Sequence, residues 1–195
     1  MLWVDKHRPR GIKNLTYHDN ITNRLQRIGS NPSNMPHLMV YGPSGAGKKT
    51  RVMALLRELF GPGAERLKLD RRTFKTPTSR MVEINMISSN YHIELCPGDA
   101  GMDDRFVVQD VIKEMAQSKS LLAKKDSRIQ FKVVVLSEVD RLSRQAQAAL
   151  RRTMEKYAST CRLILICNNP SKVIDPLRSR CLGIRISAPS YDDVS

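Results

Sequence analysis

The chain has 195 residues, of which 41% are hydrophobic, enough to bury one substantial core, and we read residues 1–190 as one domain. Lys and Arg number 33 against 19 Asp and Glu, a formal net charge of +14, which suits nucleic acid or an acidic protein surface and says nothing of fold. No apolar run approaches the roughly 20 residues of a membrane span, and no signal-peptide pattern opens the chain, so we expect an intracellular protein with no membrane partner.

The charge is uneven: residues 1–80 carry +11 and residues 81–195 carry +3. Cys96, Cys161, Cys167 and Cys181 form no C-x-x-C pair, and three lie in or beside apolar runs; we expect buried thiols and neither a disulfide framework nor a zinc site.

In chain order, residues 1–16 read as an extended arm, Leu2-Trp3-Val4-Asp5-Lys6-His7-Arg8-Pro9, which either packs Trp3 on the core or covers a flat base. Ile21, Leu25 and Ile28 recur at helical spacing, and Gly29 and Pro32 end that helix. A buried strand from His37 to Tyr41 runs straight into Gly42-Pro43-Ser44-Gly45-Ala46-Gly47-Lys48, followed by a helix from Thr50 to Leu59. Strand, glycine loop and helix make a P-loop: Gly42 and Gly47 let backbone N–H groups curl around an oxyanion, and the helix start favours negative charge. Lys48 is placed to reach the β- and γ-phosphates of a nucleotide.

The Ser or Thr that ordinarily follows this lysine, and whose hydroxyl ligates Mg²⁺, is replaced by Lys49. Thr50 comes one residue late, turned by about 100° on a helix. The loop therefore reads as able to hold ATP or ADP and poorly equipped to hold a metal ion.

Residues 61–88 read as an inserted basic hairpin with strands at Arg66–Asp70 and Met81–Ile87 and Pro77 in the link. A strand at His92–Leu95 precedes a helix from Asp103-Asp104 to Gln117, with Phe106, Val107, Val111, Ile112 and Met115 on its inner side. Lys119 to Arg128 is a charged loop. Phe131 to Leu136 is a β-branched run typical of a parallel strand buried on both faces. It ends in Ser137-Glu138-Val139-Asp140, the Walker B arrangement with serine where the metal-binding aspartate belongs. Glu138 is left as a residual general base, or Glu138 and Asp140 are ordinary strand-end polarity. Ser143 caps a helix to about Tyr157. A further strand, Arg162–Ile166, leads to Asn168, placed to bond a γ-phosphate or attacking water, or else to make a turn. Arg180 precedes the last strand, Leu182–Ile186, and is either structural or an arginine finger. The expected fold is α/β: a three-layer αβα P-loop domain with a mainly parallel five-stranded sheet plus the inserted hairpin.

Together these stretches resemble a replication factor C small subunit, of the eukaryotic AAA+ clamp-loader family. The resemblance rests on residues 2–9, Pro36-His37-Leu38, the run Ala148-Ala149-Leu150-Arg151-Arg152-Thr153-Met154-Glu155-Lys156-Tyr157, and Ser179-Arg180-Cys181. Lys49, Ser137 and the hairpin resemble the small-subunit type whose own ATPase site is degenerate, with Mg²⁺ bound weakly or not at all. The resemblance implies Val4, Arg8 and Pro9 beside the adenine and residues 42–50 around the phosphates. Asn168 would be sensor 1, and Arg180 would act in trans. Arg105, Arg144, Arg151 and Arg152 become candidate DNA or switch contacts. The implied partners are the other subunits of a hetero-pentamer, a sliding clamp and primer–template DNA, in the nucleus. Family members continue into a helical lid and a collar domain, so residues 191–195 read as the start of the lid.

Overall fold

The computed structural model describes residues 6–76, 79–117 and 129–190. Trp3 and Val4, Pro77, the whole charged segment 119–128 and residues 191–195 lie outside the described residues.

The strands are β1 (Leu38–Tyr41), β2 (Lys68–Lys75), β3 (Met81–Ser88), β4 (His92–Leu95), β5 (Lys132–Leu136), β6 (Cys161–Cys167) and β7 (Leu182–Arg185). The helices are α1 (Asp19–Ser30), α2 (Lys48–Phe60), α3 (Asp104–Gln117), α4 (Arg144–Lys156) and the single turn α5 (Asp175–Arg178). Among the described residues these seven strands join one sheet in the order β2-β3-β4-β5-β6-β1-β7. Strands β4, β5, β6, β1 and β7 are mutually parallel. β3 pairs antiparallel with β4, and β2 with β3 from Lys68↔Ser88 to Lys75↔Met81. The expected architecture of five parallel strands plus a hairpin is therefore present.

The central strands are buried on both faces because their apolar residues alternate between two cores. Val134, Leu136, Leu163 and Leu165 face α3 and α4, packing with Val107, Val111, Ile112 and Leu150. Val133, Val135, Ile164 and Ile166 face α1 and α2, packing with Leu25, Val52, Leu55 and Leu56. On α3, fully buried Val108 joins Val107, whereas Phe106 is only half-buried and the inner face is rotated relative to the expected one. The hairpin starts later and runs longer than the sequence suggests, since residues 61–65 form a 3₁₀ turn closing α2. It is not a free arm: Phe74, Ile84 and Met86 continue the core beneath α3. Its outer strand leaves Leu69 78% exposed.

All four cysteines are free thiols, Cys161 and Cys167 buried and Cys96 and Cys181 partly so. Burial pushes Cys96 and Cys167 up to about 11 and Cys181 to about 12. Among the described residues no group of His, Cys, Asp and Glu could hold a metal ion, and no helix is long and apolar enough to cross a membrane.

Candidate nucleotide site

β1 ends at the centre of the sheet, and the chain must turn sharply to enter α2. Gly42 (φ +153°), Gly45 (+82°) and Gly47 (+79°) make that turn. At Gly42 a Cβ would lie 1.8 Å from the carbonyl oxygen of Ile186, so only glycine fits between β1 and β7. Pro43, Ser44 and Gly45 form the exposed rim of the loop, with Ala46 and Lys48 buried behind it. α2 begins at Lys48, two residues earlier than the sequence suggests, with left-handed Gly47 as its N-cap.

Neighbouring strands bring the distant residues in. Because β6 lies beside β1, Asn168 emerges against the loop, and Lys48 Nζ donates to Asn168 Oδ1 (2.8 Å) and to the carbonyls of Gly42 and Pro43 (both 2.7 Å). Burial lowers the Lys48 pKa from its usual value. The turn after β6 is made by Asn169, whose side chain accepts from Ser171 N, leaving Asn168 to face the lysine. Asn168 thus lies beside the loop lysine, while the turn itself is Asn169's.

At the end of β5, Glu138 sits in left-handed backbone (φ +55°), which is unusual for a side-chain-bearing residue and characteristic of functional turns. Its carboxylate accepts from Arg141 Nη1 at 2.5 Å and from Cys96 Sγ at 3.7 Å. Asp140 accepts from Asn169 N (3.1 Å), and its Oδ1 is buried with no hydrogen-bond partner. Ser137, at the metal-aspartate position, is held by its N–H to Leu95 O (3.0 Å).

Lys49 reaches a strand that β5 and β6 separate from β1 in the sheet. Its Nζ lies 2.5 Å from Oε1 of Glu94 on β4, a carboxylate only 6% exposed. The phosphate cradle fits a nucleotide, with glycine turns, a helix start and a buried lysine. The donor set does not fit a protein-held Mg²⁺: an ammonium has no lone pair to give, and serine replaces the hard anionic ligand.

A cleft of about 580 Å³ opens on the side of the arm. Arg8 and Pro9 line it with Leu15, Tyr17, Ile166, Lys49 and Thr50. Tyr17 was not evident from the sequence. Its hydroxyl donates to Ala46 O (3.3 Å) and sits where a Cβ on Gly47 would be, 2.7 Å away. Buried Arg51 stacks over the Tyr17 ring (4.7 Å) and donates to Tyr17 O (2.6 Å) and Thr22 Oγ1 (3.2 Å). No local motif marks a tyrosine and an arginine 34 residues apart as a pair.

The remaining candidates lie elsewhere. Arg180 donates through Nε to Glu155 Oε1 (2.6 Å) and through Nη1 to Pro176 O (2.8 Å), with Nη2 also 2.5 Å from Glu155. Arg151 pairs with the same carboxylate at 3.5 Å, while Arg152 is exposed. Arg105 and Arg144 are exposed at the starts of α3 and α4, which buried Asp104 joins by accepting from Ser143 N (2.7 Å) and Ser143 Oγ (2.9 Å). Ser143 caps α4 through Ala146 N, as its position suggests.

The family described as "DNA polymerase III, delta subunit" matches residues 17–190. The chain is 54% identical over its full length to "Probable replication factor C subunit 3" of Dictyostelium discoideum, of which it covers 55%. It is 54% identical over 99% of its length to "Replication factor C subunit 3" of Mus musculus, covering 53%, and 53% identical over all of it to "Replication factor C subunit 5" of Schizosaccharomyces pombe, also covering 53%. It thus spans about half the length of these relatives. In fold it is similar to the Thermotoga maritima RuvB Holliday junction branch migration motor, with a TM-score of 0.55 at 15% identity over 94% of this chain and 49% of that one. On the family match over residues 17–190, the chain belongs to the DNA polymerase III delta-subunit family and is a homologue of replication factor C subunits 3 and 5.

Proposed function

We propose that the chain is a nucleotide-holding, hydrolysis-poor part of a DNA sliding-clamp loader subunit in the nucleus. It works in a hetero-pentamer, supports loading of the clamp at primer–template DNA in replication and repair, and lends Arg180 to the nucleotide of a neighbouring subunit. ATP or ADP occupies the P-loop, and Mg²⁺ is weakly held or absent. The observation that carries this reading is the meeting of Lys48 with Asn168 in a glycine cradle whose two metal positions are Lys49 and Ser137. Kinship to replication factor C subunits supports the assembly and the substrate.

A second reading, a self-sufficient AAA+ ATPase, draws on Glu138 alone, kept at the strand end in a strained backbone. A third, a DNA-binding module with structural nucleotide, draws on the net charge of +14; a shallow salt dependence of DNA binding would count against it.

The test is to incubate the protein with labelled ATP, remove the excess and identify what stays bound. Intact nucleotide, or trapped ADP without turnover, is expected. Steady release of ADP overturns the hydrolysis-poor reading, and retention of nothing overturns the nucleotide site.

A further inference from the structure

Two lysines at the start of a helix face the positive end of its dipole, an unfavourable placement that an anion must relieve. For Lys48 the relief is the carbonyl and amide oxygens of the loop and Asn168. Lys49 instead reaches across to β4 and meets Glu94 at 2.5 Å. Glu94 is the more informative partner. It sits on a central strand, in register with Val135 of β5, one residue before Leu95, whose carbonyl holds Ser137. A carboxylate this deeply buried is costly unless paired, so the pair is fixed by the buried anion rather than by the half-exposed lysine. Lys49 lines the same cleft as Gly45, Gly47 and Lys48, and an ammonium has three donors, of which Glu94 needs one.

We propose that Lys49, fixed by Glu94, is a built-in cation that takes the place of the divalent metal, so that this P-loop holds nucleotide with no need of a divalent cation. This rests on the reading of the P-loop as a nucleotide site. Lys48 and Lys49 together supply two positive charges to the phosphates, which in P-loop enzymes one lysine shares with Mg²⁺. A divalent ion brought to the same place meets a fixed like charge and finds neither a Thr hydroxyl nor an aspartate. The glutamate that could have joined its shell is already neutralised. Lys49 and Glu94 thereby act as the residues that make binding independent of the metal state of the ligand.

The experiment is a titration with fluorescent N-methylanthraniloyl-ADP in excess Mg²⁺ and in EDTA, on the wild-type protein, Lys49→Thr, Glu94→Gln and the double variant Lys49→Thr/Glu94→Gln. The wild type is expected to bind with less than about a twofold difference between the buffers, and Glu94→Gln, which keeps the ammonium, likewise. Lys49→Thr restores a hydroxyl and releases the Glu94 carboxylate, and is expected to bind about tenfold or more tighter with Mg²⁺. If the unpaired Glu94 unfolds that variant, the double variant carries the comparison, with the same direction expected from the hydroxyl alone. A wild type that binds tenfold tighter in Mg²⁺ overturns the inference and leaves the nucleotide site standing, as does indifference to Mg²⁺ in both Thr variants. A folded wild type that binds in neither buffer overturns the nucleotide reading itself. Mn²⁺ added with ADP and followed by electron paramagnetic resonance is a second readout. Free, protein-unbound Mn²⁺ at saturating ADP supports the built-in cation, and immobilised Mn²⁺ overturns it.

Discussion

Lys48 Nζ and Asn168 Oδ1 are 2.8 Å apart, although 120 residues separate them in the chain. The contact joins the loop after β1 to the end of β6, and the strand order makes it unavoidable. Lys48→Ala removes the buried ammonium and is expected to weaken nucleotide binding about tenfold or more, read by the same fluorescent titration. Asn168→Ala is expected to act more weakly on ADP than on ATP, since the amide lies beyond the lysine.

Gly42→Ala is expected to unfold or strongly destabilise the protein, by about 3 kcal/mol or more, in urea denaturation. The new methyl group would meet the backbone carbonyl of Ile186, which cannot move aside as a flexible side chain would. Gly45→Ala meets nothing within 4 Å and pays only for its positive φ, about 1 kcal/mol.

Asp104→Ala should cost about 2–3 kcal/mol, because it leaves Ser143 N without its buried acceptor and frees the start of α4 from the start of α3. Ser143→Ala, which loses the helix cap, should cost about 1 kcal/mol. The same urea midpoints check both.

Two histidines make stability depend on pH. Burial lowers both His37 and His92 from 6.5 to about 4, with Arg162 adding to the effect at His37. His37 Nδ1 accepts from Leu163 N (3.0 Å), a bond only the neutral ring can make, and His92 is fully buried beside Ser89. Between pH 6.5 and 4 the unfolded chain binds more protons than the folded one. Their contribution is therefore complete above pH 6.5 and lost as pH falls toward 4. With solvent screening at partly exposed His37 allowed for, stability should drop by about 2 kcal/mol from pH 7 to 5. Glutamine at both positions should flatten that slope.

Glu155 holds the guanidinium of Arg180 on the surface of this chain. In an assembled loader, Arg180→Ala is expected to lower ATP turnover by about a thousandfold at the adjoining site, with nucleotide bound by this chain unchanged. Glu155→Ala should leave stability within about 1 kcal/mol, as the pair is partly exposed. Its readout is turnover at the same adjoining site, which should change because Arg180 loses its anchor.

The local requirements of the backbone were legible in the sequence. The apolar runs of β1, β5 and β6, the glycines at 42, 45 and 47 and the cap at Ser143 announce their elements within a few residues, because each answers a local constraint of burial, dihedral angle or helix end. Lys49 and Ser137 were equally legible as replacements, since the P-loop and Walker B spacings are fixed. The boundaries of α2 and the hairpin, and the inner face of α3 with Val108 in place of Phe106, shifted because packing, not propensity, sets the ends of elements and their rotation. Only the tertiary structure could decide which distant groups meet. Lys49 with Glu94, Arg51 with Tyr17, Asp104 with Ser143 and Arg180 with Glu155 each join different elements. Such pairings follow from strand order and helix packing, which bring together residues with no shared local pattern, so the identity of a lysine was written in the chain and its partner was not.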